Sequence, residues 1–198
     1  LDDLVAEQGA EACALEMAKA KAVNEVTKQM RGEFVDALLT ARISPKEMEQ
    51  WARQLGHDIS LPHAAIVFAW EGENQPSLRR LETAINGEIS LTRVAALVRV
   101  ELETGRAGAF VSLESVNSIK PARDLAAAIY ARTIAEHPKA TLRCGIGRPA
   151  ENVTEWRISN REAEQALEMG DRLVKFLEEE SHKKDVELAE ERGSFPNF

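Results

Sequence analysis

Residues 64–70, AAIVFAW, form an almost unbroken apolar run of strand length, and no other segment limits the fold as strongly. Successive side chains of a strand point to opposite faces, so a strand that is apolar throughout must be buried on both. The run is therefore read as a central strand. Residues 71–76 after it are polar and turn-like. Leu78, Leu81, Ala84, Ile85 and Ile89 then recur at helical spacing over residues 77–89, a helix that packs on the sheet.

The elements that follow complete a pattern. Residues 94–102 and 107–113 have strand character and are separated by Glu103, Thr104, Gly105 and Arg106, which reads as a hairpin. Pro121 opens a helix to Glu136 whose buried side is predicted to carry Leu125, Ala128, Ile129, Ala131, Thr133 and Ile134. His137 and Pro138 stop it. Residues 141–146 are the fourth strand, and an amphipathic helix reaches Leu167 with Trp156, Ile158, Ala163, Ala166 and Leu167 expected to close the sheet. Strand, helix, strand, strand, helix, strand is the ferredoxin-like order. It predicts an α+β fold with a four-stranded antiparallel sheet, the first and third strands in the middle.

Ahead of this unit, residues 1–41 are rich in Ala, Glu, Lys and Leu, lack Pro, and place Leu15, Ala22, Val23, Val26, Met30, Phe34, Ala37 and Leu38 at helical spacing. Such a helix reaches about 60 Å at 1.5 Å per residue, too long to pack wholly on so small a domain. Part of it is expected to meet another chain or domain, with Leu15, Val23, Val26 and Met30 as the contact stripe. A helix broken at Gly9 or Gly32 is the alternative. Ser44, Pro45 and Glu47 read as an N-cap, a Pro at the first helical position and an acidic first turn of a short helix ended by Gly56. After Gly170 the sequence is charged and poor in large apolar residues, as expected of a solvated helix fraying by Gly193. The predicted division is a connector and dimerisation helix (1–43), an α+β domain (44–175) and a charged tail (176–198).

A net charge of −8, with no basic stripe, argues against direct nucleic-acid binding by this chain. Cys13 and Cys144 lie far apart in apolar surroundings, which fits a reducing cytoplasm better than a disulfide or cysteine metal site. No apolar run spans a membrane and no leader is visible. The start at Leu1, inside a helical pattern, is expected of a piece of a longer protein.

Three places carry residues suited to chemistry. Gly145, Gly147 and Ala150 meet the GxGxxG/A spacing of a dinucleotide corner, with Gly145, Gly147 and Arg148 as the candidate ligand contacts. The strand there is the last of its unit, however, and Pro149 removes a backbone donor. The corner is therefore read as a structural turn, with glycines for close packing or positive φ, and Asn152 or Thr154 as a cap. His57, His63, His137 and His182 are scattered and compose no triad, while Asp58 or Ser60 closes a turn. Glu71, Glu101 and Glu103 are the carboxylates that could hold Mg²⁺ in a phosphoryl-transfer palm.

Residues 37–62, ALLTARISPKEMEQWARQLGHDISLP, the strand that follows, and CGIGRPAENVTEWRISNREAEQAL from Cys144 together resemble the GGDEF-like central domain of PucR/CdaR-type bacterial transcription regulators. The similarity covers residues 35–173. The resemblance implies a degenerate cyclase palm between an upstream sensory domain and a downstream helix-turn-helix domain. It places Arg106, Ala107, Gly108, Ala109 and Phe110 in the position of the GGDEF hairpin, with Gly108 and Ala109 where an active cyclase has its acidic pair. It implies no catalytic residues, no metal and no cofactor. The expected function is a signal-transmission and dimerisation module that is not an enzyme and acts as a homodimer. The alternatives are a nucleotide or metabolite sensor and an active nucleotide cyclase.

Overall fold

The computed structural model describes residues 2–73 and 75–170 and, of residues 2–12, the helical backbone only. The predicted charged tail, 176–198, lies outside the described residues. The elements are α1 (Asp2–Leu39), α2 (Pro45–Gln54), β1 (His63–Glu71), α3 (Leu78–Thr92), β2 (Ala96–Glu101), β3 (Arg106–Ser112), α4 (Lys120–Glu136) and β4 (Thr141–Ile146). A 3₁₀ turn, Val153–Glu155, leads into the last helix among the described residues, α5 (156–170).

The sheet is four-stranded and antiparallel, in the order β2-β3-β1-β4, so the first and third strands are central as expected. β1 is buried from His63 through Trp70. Its alternation divides the interior in two. Ala64, Ile66, Phe68 and Trp70 face Leu81 and Ile85 of α3 and Leu125 and Ile129 of α4. Ala65, Val67 and Ala69 face a second core of Phe34, Val35 and Leu38 from α1, Met48 and Ala52 from α2, and Trp156, Ala163 and Leu167 from α5. The molecule is thus three layers deep, helices covering both faces of β1.

Local chemistry sets the boundaries. At α2, Ser44 accepts from the Glu47 N–H while its own N–H donates to the Glu47 carboxylate at 2.8 Å, a reciprocal capping box with Pro45 in the first turn. Gly56, at φ 63°, ends the helix. On α4, Ala131 is exposed, in contrast to the predicted side, and Ala122 and Ala126 are buried instead. On α5, Ile158 and Ala166 are likewise exposed. The face that meets the sheet is Trp156, Ser159, Ala163 and Leu167, a three-then-four spacing that admits a serine.

α1 is one unbroken helix of 38 residues that passes through Gly32 without a break. Only its last turns, from Phe34, enter the core. Residues 13–26 are exposed throughout. No helix among the described residues is long and apolar enough to cross a membrane.

Candidate functional site

β1 ends beside the β2–β3 hairpin, where the three candidate carboxylates Glu71, Glu101 and Glu103 lie. The turn of that hairpin is residues 102–105, with Gly105 at φ 68°. Arg106–Phe110, which the resemblance sets in the position of the GGDEF hairpin, are the first five residues of β3, each registered on β1 or β2. Ala107 and Ala109 point into the α3/α4 core and Phe110 into the other. A methyl on Gly108 would stand 2.4 Å from the Ile66 carbonyl oxygen. Neither Gly108 nor Ala109 has room for a carboxylate.

Two of the three acidic residues of this edge already have cations. Glu101 accepts from Arg99 at 2.8 Å and from the Thr104 hydroxyl, and Arg99 also pairs with Asp36 of α1. Burial opposes ionisation of Glu101, yet Thr104, Arg99 and Arg106 outweigh it and hold its carboxyl below the usual range. Glu71 lies 3.8 Å from Arg143 on β4, and Glu103 is exposed on the turn. Among the described residues no three His, Cys, Asp or Glu side chains are grouped to hold a metal.

At the corner after β4, helix α5 occupies the space in front of both glycines. A methyl on Gly145 would lie 2.0 Å from the Ala163 carbonyl oxygen, and one on Gly147 1.9 Å from that of Ser159. Neither glycine has positive φ; close approach is what each provides. Ser159, fully buried, accepts from the Ala65 N–H at 3.0 Å and donates to the Arg148 carbonyl at 2.7 Å, joining β1, the corner and α5. The Arg148 side chain turns to solvent beside Glu162. Asn152 caps the 3₁₀ turn by accepting from the Thr154 N–H.

The GGDEF-like domain model matches residues 40–169, about two-thirds of the chain. This chain belongs to the GGDEF-like domain family. No curated protein sequence matches it.

The GGDEF-like domain also holds a cluster that spacing alone did not reveal. His57 and His63 face each other with Nε2 atoms 2.8 Å apart, and the Ser112 hydroxyl is 2.8 Å from the same His63 nitrogen. His63 Nδ1 lies 2.8 Å from the Leu61 carbonyl and so carries the ring proton, which leaves Nε2 as the acceptor. Trp156 packs on His63 at 4.3 Å and stacks on Phe110 at 4.8 Å. Burial pushes both histidines down to about 4 from 6.5; Arg31 adds to the effect at His57, while the Leu61 carbonyl and Asp58 oppose it at His63. Asp58 closes an Asx turn by accepting from the Ser60 N–H and hydroxyl. Two histidines, one directly after Gly56 and one directly after Pro62, were the only signal in the sequence. Cys144, pushed up to about 12 by burial, is no nucleophile.

Proposed function

We propose that the chain is the non-catalytic central module of a PucR/CdaR-type transcription regulator, acting in the cytoplasm as a homodimer. It holds two subunits together and passes a signal from an upstream sensory domain to a downstream DNA-binding domain, without touching nucleic acid itself. The observation that carries the reading is the free half of α1. Leu15 (70% exposed), Val23 and Val26 (58% each) and Met30 (37%) make an apolar stripe in solvent that continues into buried Phe34. Burying one such side chain contributes about 1.5–3 kcal/mol, so a stripe shared by two helices is a strong association surface. Because Phe34, Val35 and Leu38 lock the same helix into the domain core, a change of register along the stripe would be felt at the sheet. The loss of catalysis is supported by the filled positions at Gly108 and Ala109 and by the arginines that pair with Glu101 and Glu71.

Sedimentation of the full chain and of a Val23→Glu/Val26→Glu variant tests this. The parent is expected to be a dimer and the variant a monomer of equal helix content; a monomeric parent would sink the proposal. Incubation with GTP or ATP and Mg²⁺ is expected to yield no cyclic or linear dinucleotide product, and clear turnover would overturn the non-catalytic half.

A sensor reading has one observation in its favour. The Gly145–Gly147 corner is filled, but beside it a groove of about 700 Å³ opens between α2 and Asn152 and Val153, with His57 and Arg53 on its wall. A ligand there at a hundred times its dissociation constant would add about 2.7 kcal/mol of stability, which a thermal-shift screen detects.

A further inference from the structure

β2 is an edge strand whose outer side is open. Its hydrogen-bond parity follows from one bond. The Ser112 N–H donates to the Ala95 carbonyl at 2.9 Å, and the register sets Ala96 opposite Val111. Residues 95, 97, 99 and 101 therefore exchange bonds with β3, while the N–H and C=O groups of Ala96, Val98 and Val100 point away from it. None of these outward groups has a partner among the described residues.

Along that edge runs a trough of about 370 Å³, walled by α1 on one side and α3 on the other, with Val98 and Val100 at its base. Its α1 wall is low because of Gly32. Glycine inside a helix costs about 1 kcal/mol relative to alanine. Packing does not require one here, since a methyl on Gly32 would meet nothing within 4 Å. What the missing side chain does is keep the trough open.

We propose that β2 takes a short basic peptide, in extended conformation, as a fifth strand. Main-chain bonds to Val98 and Val100 would hold a segment of about three residues, roughly 10 Å of extended chain lying about 4.8 Å from β2. Its side chains would alternate between the two walls, and each wall offers a carboxylate. Glu33 of α1 is bonded only to Gln29, and Glu82 of α3 is in no ion pair among the described residues. Of the other charged groups lining the trough, Lys28 and Asp36 are already paired, with Glu25 and Arg99, and Arg31 is a cation in no ion pair among the described residues, so the lining as a whole stays net negative. Adjacent lysines or arginines of the incoming strand would thus meet Glu33 and Glu82 in turn. A second copy of this chain fits poorly, because edge-to-edge pairing would set Glu33 and Glu82 of one protomer against those of the other, on chains that each carry a net charge of −8.

The test is fluorescence anisotropy of the full chain with a labelled hexapeptide alternating valine and lysine pairs. Three comparisons accompany it: the same peptide with glutamate for lysine, the lysine peptide N-methylated at alternate backbone positions, and the Gly32→Leu variant of the protein. Saturable binding of the lysine peptide is expected, weakened at least tenfold by each change and also by 0.5 M salt. Gly32→Leu should melt no lower than the parent. No binding of the lysine peptide, or binding that neither N-methylation nor Gly32→Leu weakens, would overturn the proposal; the latter result would mean charge attraction without strand addition.

Discussion

Gly147→Ala is expected to destabilise the domain by about 3 kcal/mol or more, and Gly145→Ala by a similar amount. Overpacking a core by one methyl costs about 1–3 kcal/mol when side chains can shift to absorb it. Here they cannot. The atoms in the way are backbone atoms of α5: the Ser159 carbonyl oxygen 1.9 Å from a methyl on Gly147, and the Ala163 carbonyl oxygen at 2.0 Å and the Leu167 nitrogen at 2.6 Å from a methyl on Gly145. Relief requires lifting the helix, which would separate Ser159 from the Ala65 N–H and the Arg148 carbonyl and uncover the fully buried Trp156. A buried donor left without a partner costs a further 1–3 kcal/mol or so. Gly32→Ala, in open space on α1, serves as the control and should raise stability by about 1 kcal/mol. Urea midpoints of the three variants decide the matter. A Gly147→Ala midpoint equal to that of the parent would mean that α5 does not sit on the corner.

How much of this could be read from the chain follows from the range of the interactions involved. The two-sided burial of β1 was legible because it is written in seven consecutive residues, and the sheet order followed from the sequence of elements through right-handed crossovers. The α2 cap is a four-residue device, and Ser44, Pro45 and Glu47 announce it. The corner was legible as a turn, but its cause was not. Gly145 and Gly147 are small because of Ala163 and Ser159, more than ten residues away, and no periodicity reports a contact between a strand and a later helix.

The same limit explains the residues misplaced at the edges of the buried sides of α4 and α5, Ala131, Ile158 and Ala166, where helical spacing defines a stripe but not its width. The hairpin differs from its reading by one residue: Arg106 reads as part of the turn, yet the strand begins there, since Gly105 alone supplies the positive φ that residues 102–105 need to reverse the chain. Least legible was the His57–His63 pair. Five residues, one of them Pro62, separate the two histidines, and it is Gly56 and the Asp58 turn that fold them into contact.

That pair sets the second large effect, the dependence of stability on pH. In the folded domain both rings titrate at about 4, and in the unfolded chain near 6.5, so between these values the unfolded state binds more protons. Stability is therefore complete above pH 6.5 and is lost as the pH falls toward 4. For His63 alone the full difference corresponds to about 3 kcal/mol, of which about 2 kcal/mol is gone by pH 5. His57 contributes less, because its ring is partly solvated and because the two share one hydrogen bond and titrate as a pair. The charges that face them are Arg31, which opposes protonation, and Asp58, which favours it. The carboxyls held low by hydrogen bonds, Glu47, Asp58 and Glu101, lose their contributions at lower pH, so the interval from pH 7 to 5 belongs to the histidines. Replacing His63 by Gln keeps a neutral hydrogen-bonding group but removes the titration. The variant is expected to be weaker than the parent at pH 7 and nearly flat from there to pH 5, where the parent falls steeply. Urea midpoints at pH 7, 6 and 5 provide the comparison. Equal slopes in parent and variant would place the acid sensitivity elsewhere in the domain.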